Sequence, residues 1–291
     1  MKRYAYYPGC SLKGAGKPYE MSLLALFKKL GAELWEIDDW NCCGATAYMS
    51  INERSATLLA LRNLALAEKA GYEEVLTPCV GCYVALKKAI YYYQNYPDMR
   101  QRISDALSGQ GLTYRGVAHP VHPLEAIERD YGFDEIKKLV ENPLKGLKVA
   151  PYYGCALRRP FGFYEGSITS QALEKVIEVS GATPIEPFGA RMRCCGGMQT
   201  VTSPDVGYGL VYAILKDAKD RDADILLTGC PLCHYNLEVL QEPAVKKFSK
   251  ESFNLPILYF TQLLGLALGL SEKELGLDML IYKPVLEVAV K

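Results

Sequence analysis

The sequence predicts an α/β fold built as two tandem related Rossmann-like domains with mostly parallel sheets. Three observations carry that reading. Apolar strand-like runs alternate with amphipathic helical stretches, the alternation occurs twice, and ten cysteines fall into two matching sets of five. In the first half strands are expected over residues 3–7, 32–37, 74–77 and 113–118, with helices over 19–30, 53–70 and 80–93 between them. In the second half strands are expected over 147–153, 182–187, 224–228 and 256–259, with helices over 168–180, 205–220 and 232–240. Pro143, Lys145 and Gly146 interrupt the pattern just before the second set, which divides the chain into domains 1–145 and 146–291.

Composition bounds the function. The chain has 291 residues, 49% hydrophobic and 23% charged, which suits a soluble protein of about two domains. Its 33 basic and 33 acidic residues leave no net field for a phosphate backbone or an anionic membrane, so nucleic-acid and polybasic membrane binding are disfavoured. The N-terminus lacks an apolar run before a small-residue cleavage site, and the apolar stretch 255–270 is interrupted by Thr261 and Gln262 and too short for a bilayer. A cytoplasmic protein with reduced thiols is expected. Ten cysteines are too sparse for a disulfide scaffold and too many for a routine enzyme.

The cysteines repeat. Cys10, Cys42, Cys43, Cys79 and Cys82 are echoed by Cys155, Cys194, Cys195, Cys230 and Cys233, at offsets of 145, 152, 152, 151 and 151. Their neighbours match as well: AYYPGC with APYYGC, NCCGAT with RCCGGM, LTPCVGCY with LTGCPLCH. In each half the first cysteine follows the first expected strand, the Cys-Cys pair the second, and the C-x-x-C pair the third. All five thiols of a half then lie beyond the carboxyl ends of parallel strands, where open α/β sheets bind ligands. Each C-x-x-C also opens a helix, where free N–H groups favour thiolate.

Several chemistries use thiols. Single buried cysteines are often structural, structural zinc takes four ligands in a closed tetrahedron, and thiol–disulfide exchange through C-x-x-C uses two per half. Iron–sulfur ligation suits soft thiolates in an apolar setting with glycines, here Gly44, Gly196 and Gly197, that let a cluster approach the backbone. A cubane cluster takes four cysteines, so ligand counting leaves the role of a fifth open. The chain has no ferredoxin-type cysteine run, and Gly14-x-Gly16 lacks the third glycine of a dinucleotide fingerprint. Electrons are therefore expected from a partner.

The spacing, 31 residues from Cys10 to the first Cys-Cys pair and 35 onward to C-x-x-C, then 38 and 34 in the second half, resembles the duplicated CCG-domain family, in the form of the heterodisulfide reductase B subunits of methanogenic archaea. The resemblance spans nearly the whole chain, and the 34-residue spacing is one or two short of the usual pattern. It implies two noncubane 4Fe-4S clusters, the first held by Cys10, Cys42, Cys43, Cys79 and Cys82, the second by Cys155, Cys194, Cys195, Cys230 and Cys233. It implies reduction of the CoM-S-S-CoB heterodisulfide between those clusters, in methanogenesis. It also implies a complex with the cubane-cluster C subunit and the flavin-bearing A subunit of heterodisulfide reductase, together with a hydrogenase or formate dehydrogenase. Because that substrate is anionic, Lys13, Lys17, Arg158, Arg159, Arg191 and Arg193, all near ligand cysteines, are candidate clamps, although most such residues are solvated surface. His234 beside Cys233 is a candidate proton donor, with a backbone-satisfied histidine as the alternative, and His119 and His122 read as loop residues. CCG domains also resemble iron–sulfur subunits of 2-hydroxy-acid oxidising, fumarate-reducing and sulfur-oxidising complexes, so electron transfer within such a complex is the alternative function. Five cysteines retained in both halves favour the two-cluster disulfide site.

Overall fold

In the computed structural model, which describes residues 1–45, 47–157, 160–161 and 171–285, each half forms a four-stranded sheet with every strand parallel to its neighbours. The first half runs β1 (Arg3–Tyr6), α1 (Gly9–Leu12), α2 (Lys17–Lys29), β2 (Glu33–Glu36), α3 (Ala47–Ile51), α4 (Glu53–Lys69), β3 (Glu74–Leu76), α5 (Val80–Asn95), α6 (Pro97–Ser108) and β4 (His119–Val121). After α7 (Pro123–Ala126) and α8 (Phe133–Lys138), the second half runs β5 (Lys148–Tyr152), α9 (Ala172–Val179), β6 (Thr183–Pro184), α10 (Gln199–Thr202) and α11 (Pro204–Lys219). It ends with β7 (Ile225–Thr228), α12 (Pro231–Val239), α13 (Gln241–Phe248), β8 (Ile257–Tyr259) and α14 (Phe260–Ala267). The orders β2-β1-β3-β4 and β6-β5-β7-β8 are the same topology twice.

The sequence explains these elements. Parallel strands covered by helices on both faces need apolar residues at successive positions, and Tyr4, Ala5 and Tyr6 of β1 and Ile225, Leu226 and Leu227 of β7 are all buried. Helix α4 starts where Asn52 accepts the Ser55 N–H at 3.1 Å, and it buries Ala56, Ala60, Leu61, Leu64 and Ala65 along one stripe. Cys79 and Cys230 are the capping residues of α5 and α12, as expected.

Two expected strands differ. The first half's last strand is His119–Val121, not 113–118. The buried Glu68 carboxylate accepts the N–H groups of Arg115, Val117 and Ala118, so that segment satisfies its donors without a ladder. In the second half, only Thr183–Pro184 of the 182–187 run is strand, because Pro184 lacks a donor; Ile185 still donates to Val149 O. Helix 168–180 is seen as α9, with residues 168–170 outside those described.

The apolar stretch 255–270 serves the seam between the halves. There α14 packs on α2, Tyr19 stacks on Tyr259 with centroids 4.2 Å apart, and Ser22 and Thr261 share a hydrogen bond of 2.7 Å. Among the described residues no helix is long and apolar enough to cross a membrane.

Candidate metal centre

The three cysteine motifs of each half meet because each follows a strand at the same sheet edge. All ten thiols are free, and all ten line one cavity of about 200 Å³ between the halves. The rest of its wall is small or apolar, including Ser11, Ala45, Val80, Ala156, Met198 and Leu232. Cys10 and Cys42 are exposed, Cys155 and Cys194 half-buried, and the other six buried. Among the described residues the thiols ring a volume and do not converge in threes on a point for one ion, which does not favour the zinc reading.

The halves place their thiols by the same devices. Tyr7 and Tyr152 donate from their hydroxyls to the carbonyls of Asn41 and Arg193, at 2.7 and 2.6 Å, pinning the residue before each Cys-Cys pair. Gly9 and Gly154, at φ of 65° and 68°, lie so close to the last cysteine of each C-x-x-C that a Cβ would stand 3.0 Å from Cys82 Sγ or 3.1 Å from Cys233 Sγ. Sequence reading did not single out these four residues. Their signal was present in the matched blocks as Tyr-x-Gly-Cys, at positions 7–10 and 152–155. Gly154→Ala, forced into the left-handed region against Cys233, should lower unfolding free energy by about 1–2 kcal/mol in anaerobic urea titrations; an unchanged midpoint would remove the packing role.

Within each set the second thiol of the Cys-Cys pair is poised as an anion. Cys43 Sγ lies 3.1 Å from Cys82 Sγ, and Cys195 Sγ lies 3.5 Å from Cys233 Sγ. Hydrogen bonds from Cys42 and then Cys82 pull Cys43 down to about 4; those from Cys194 and then Cys233 pull Cys195 down to about 3. The donors Cys42 and Cys194 move up correspondingly, through the same bonds and then through burial. Asn236 further fixes the second pair, donating to the carbonyls of Cys195 and Gly197 at 3.2 and 3.1 Å. Cys79 is lowered by Cys82 first, against burial, and also by N–H groups of the first turn of α5.

The candidate clamps are placed differently. Lys13 and Lys17 both pair with the buried Glu20 carboxylate at 2.7 Å, and Lys13 also reaches Glu36 at 2.8 Å. Against burial, these bonds hold Glu20 below the usual carboxylate range. Arg191 pairs with the buried Glu174 at 3.3 Å, which also accepts the Tyr153 hydroxyl. Arg193 is exposed, while Arg158 and Arg159 lie outside the described residues. His234 is buried; its Nε2 donates to Ile257 O at 2.9 Å, its Nδ1 faces Glu238 at 3.5 Å, and burial lowers it to about 4. Lys13, Lys17, Arg191, Arg193 and His234 are therefore not part of the cavity wall. His119 is exposed near Glu74, and His122 is fully buried between the halves.

Ten soft thiols around an uncharged wall fit thiolate-ligated iron–sulfur clusters by the chemistry of the donor set.

Proteins of similar sequence and fold are known. A family described as a cysteine-rich domain, CCG, matches residues 4–87 and 149–238. The membrane anchor of the 8-methylmenaquinol:fumarate reductase of Wolinella succinogenes is 33% identical over 280 residues, covering 95% of this chain and 96% of that one. The B subunit of the ferredoxin/F420H2-dependent CoB-CoM heterodisulfide reductase of Methanosarcina acetivorans is 30% identical over 286 residues, covering 96% and 93%. A solved structure of a hypothetical protein from Helicobacter pylori superposes with a TM-score of 0.79 at 16% identity; it shares the fold over 98% of this chain, which spans 52% of that one. Two matched segments, each carrying one set of five thiols, place the chain in the CCG cysteine-rich domain family, with the domain present twice.

Proposed function

We propose that the chain is the disulfide-reducing component of an iron–sulfur oxidoreductase of the heterodisulfide reductase type, acting on CoM-S-S-CoB. The observation that carries this is the single cavity walled by the thiols of both halves. Cys10, Cys42, Cys43, Cys79 and Cys82 would hold one noncubane 4Fe-4S cluster, and Cys155, Cys194, Cys195, Cys230 and Cys233 the other. When bound, such clusters supply single electrons and iron that accepts a thiolate. The reaction consumes two electrons and two protons per disulfide and yields two thiols, so two facing sites match its stoichiometry.

The protein's part is placement. The small and apolar wall admits a disulfide flanked by methylenes, while the depressed Cys43 and Cys195 keep ligand thiolates available at neutral pH. Arg193, exposed beside Cys194, and Arg158 and Arg159, shortly after Cys155 in sequence, are assigned to the anionic ends of the substrate. Lys13, Lys17 and Arg191 direct their charge to Glu20 and Glu174. Electrons arrive through a partner with cubane clusters, corresponding to the C subunit of heterodisulfide reductase. That partner is fed by the flavin-bearing A subunit and a hydrogenase or formate dehydrogenase in a cytoplasmic complex.

A second reading, electron transfer within a fumarate-reducing complex, is favoured by the Wolinella succinogenes relative at 33% identity. Anaerobic purification with iron and sulfide analysis should give about eight irons per chain. Oxidised protein with coenzyme M thiol should show a new EPR signal, and reduced viologen should be oxidised by the heterodisulfide. About four irons, or zinc in their place, would sink the two-cluster reading. Full iron without viologen oxidation would transfer the assignment to electron transfer.

A further inference from the structure

His122 lies outside the cavity wall, yet it stands between the two C-x-x-C loops. Its ring is fully buried at the start of α7. Nδ1 accepts the Leu124 N–H at 3.3 Å, so the neutral ring carries its proton on Nε2, which faces Gly229 O at 3.4 Å. Gly229 is the residue before Cys230. The carbonyl of Pro78, the residue before Cys79, also bears on the ring. One imidazole from the first half thus reaches the backbone just ahead of the second half's C-x-x-C pair and packs on Tyr83, beside the last cysteine of the first half's. Gly229 is small where the ring arrives: a Cβ there would stand 3.3 Å from His122 Cε1 and 3.4 Å from the Phe260 ring.

The contact is continued by buried rings. Tyr83, next to Cys82, meets His122 at 6.0 Å between centroids; His122 meets Phe260 at 6.3 Å; and Phe260 meets Tyr19 at 6.1 Å. Tyr19 stacks on Tyr259 at 4.2 Å, and Tyr259 on His234, next to Cys233, at 4.1 Å. This run passes from one C-x-x-C helix to the other through the seam. Most of it is nonpolar ring packing, which tolerates sliding. His122 supplies a directional bond to the opposite loop.

We propose that His122 is a positioning residue that ties the second half's C-x-x-C loop to the first half's and so fixes the spacing of the two thiol sets across the cavity. Its consequence for disulfide reduction rests on the proposed function, whereas the placement of the thiols does not. Two sites that must act on one bond depend on their separation, because small misplacements cost rate steeply.

The test compares His122→Phe, which keeps a ring but no N–H donor, with His122→Gln, which can still reach Gly229 O. In cluster-free protein, alkylation of Cys79 and Cys230 by iodoacetamide, read by mass spectrometry, should be roughly tenfold faster in His122→Phe, with Cys10 and Cys155 unchanged and His122→Gln close to wild type. In loaded protein, His122→Phe should keep its iron while the magnetic interaction between the two clusters changes. Equal alkylation rates in His122→Phe and wild type would overturn the proposal. Should His122→Phe not fold, Gly229→Ala, whose methyl presses on the same ring, should speed alkylation of the same two cysteines, and an unchanged rate there would equally overturn it. Iron content that is low in the wild type would instead count against the two-cluster reading and leave the alkylation comparison decisive for His122.

Discussion

Cys195→Ser is expected to bring the iron content of anaerobically purified protein to about half of wild type and to abolish disulfide reduction, while the other half keeps its cluster. Cys195 is only 3% exposed and is held in its anionic form by bonds from Cys194 and Cys233 and by Asn236. A serine hydroxyl in that position stays neutral and hard, so it offers iron neither the charge nor the softness of thiolate. Loss of a direct ligand should exceed the roughly 10–100-fold that changes in groups behind a ligand cost. The damage should be local because each set of thiols sits on its own four-stranded sheet, and Cys43 has its own donors in Cys42 and Cys82. Iron and sulfide assays with EPR on the variant decide it. Loss of all iron would show that the two sites form only together. Full iron retention would remove Cys195 from the ligand set.

The sequence made the thiol sets legible because their chemistry depends on residue identity and on spacing along the chain, both of which repetition exposes. The strand that each motif follows could be read for the same reason: β1, β3, β5 and β7 are short buried runs ahead of a cysteine. What could not be read depends on partners distant in sequence. Glu68 replaces a strand ladder for residues about fifty positions away, and Arg191 meets Glu174 of α9 away from the cavity wall. The pairing of Lys17 with Glu20, three residues apart on one helix, follows from helix geometry and engages a charge that its position near Cys10 alone would assign to the site. His122 looked like a loop residue because its partner, Gly229, lies 107 residues further on and belongs to the other repeat. Position 122 has no histidine counterpart in the second half, where Tyr259 caps the corresponding helix, so the repeat itself concealed it.

Acidification from pH 7.5 to 5 should cost the folded protein about 2 kcal/mol through His122 alone. Burial lowers this ring from its ordinary 6.5 to about 4, against the opposing pull of the Gly229 and Pro78 carbonyls. In the unfolded chain the same ring takes up a proton near its ordinary value. Between about 6.5 and 4 the unfolded state therefore binds more protons, so stability falls as pH falls through that window and levels off below it. The full effect approaches about 3.5 kcal/mol, since a pKa displaced by one unit corresponds to about 1.4 kcal/mol. Other groups titrate nearby in the opposite sense. Glu125, which accepts the backbone N–H of His122 and the Tyr83 hydroxyl, is raised by burial, so it takes up its proton more readily in the folded state and partly offsets the loss. Comparing wild type with His122→Gln at each pH removes that contribution, because Glu125 remains in both proteins. Anaerobic urea unfolding should show the difference between them shrinking by about 2 kcal/mol over this range. A constant difference would mean that the folded ring takes up its proton over the same pH range as the unfolded one, so burial does not hold it neutral, and at pH 5 its Nδ1 could no longer accept from Leu124.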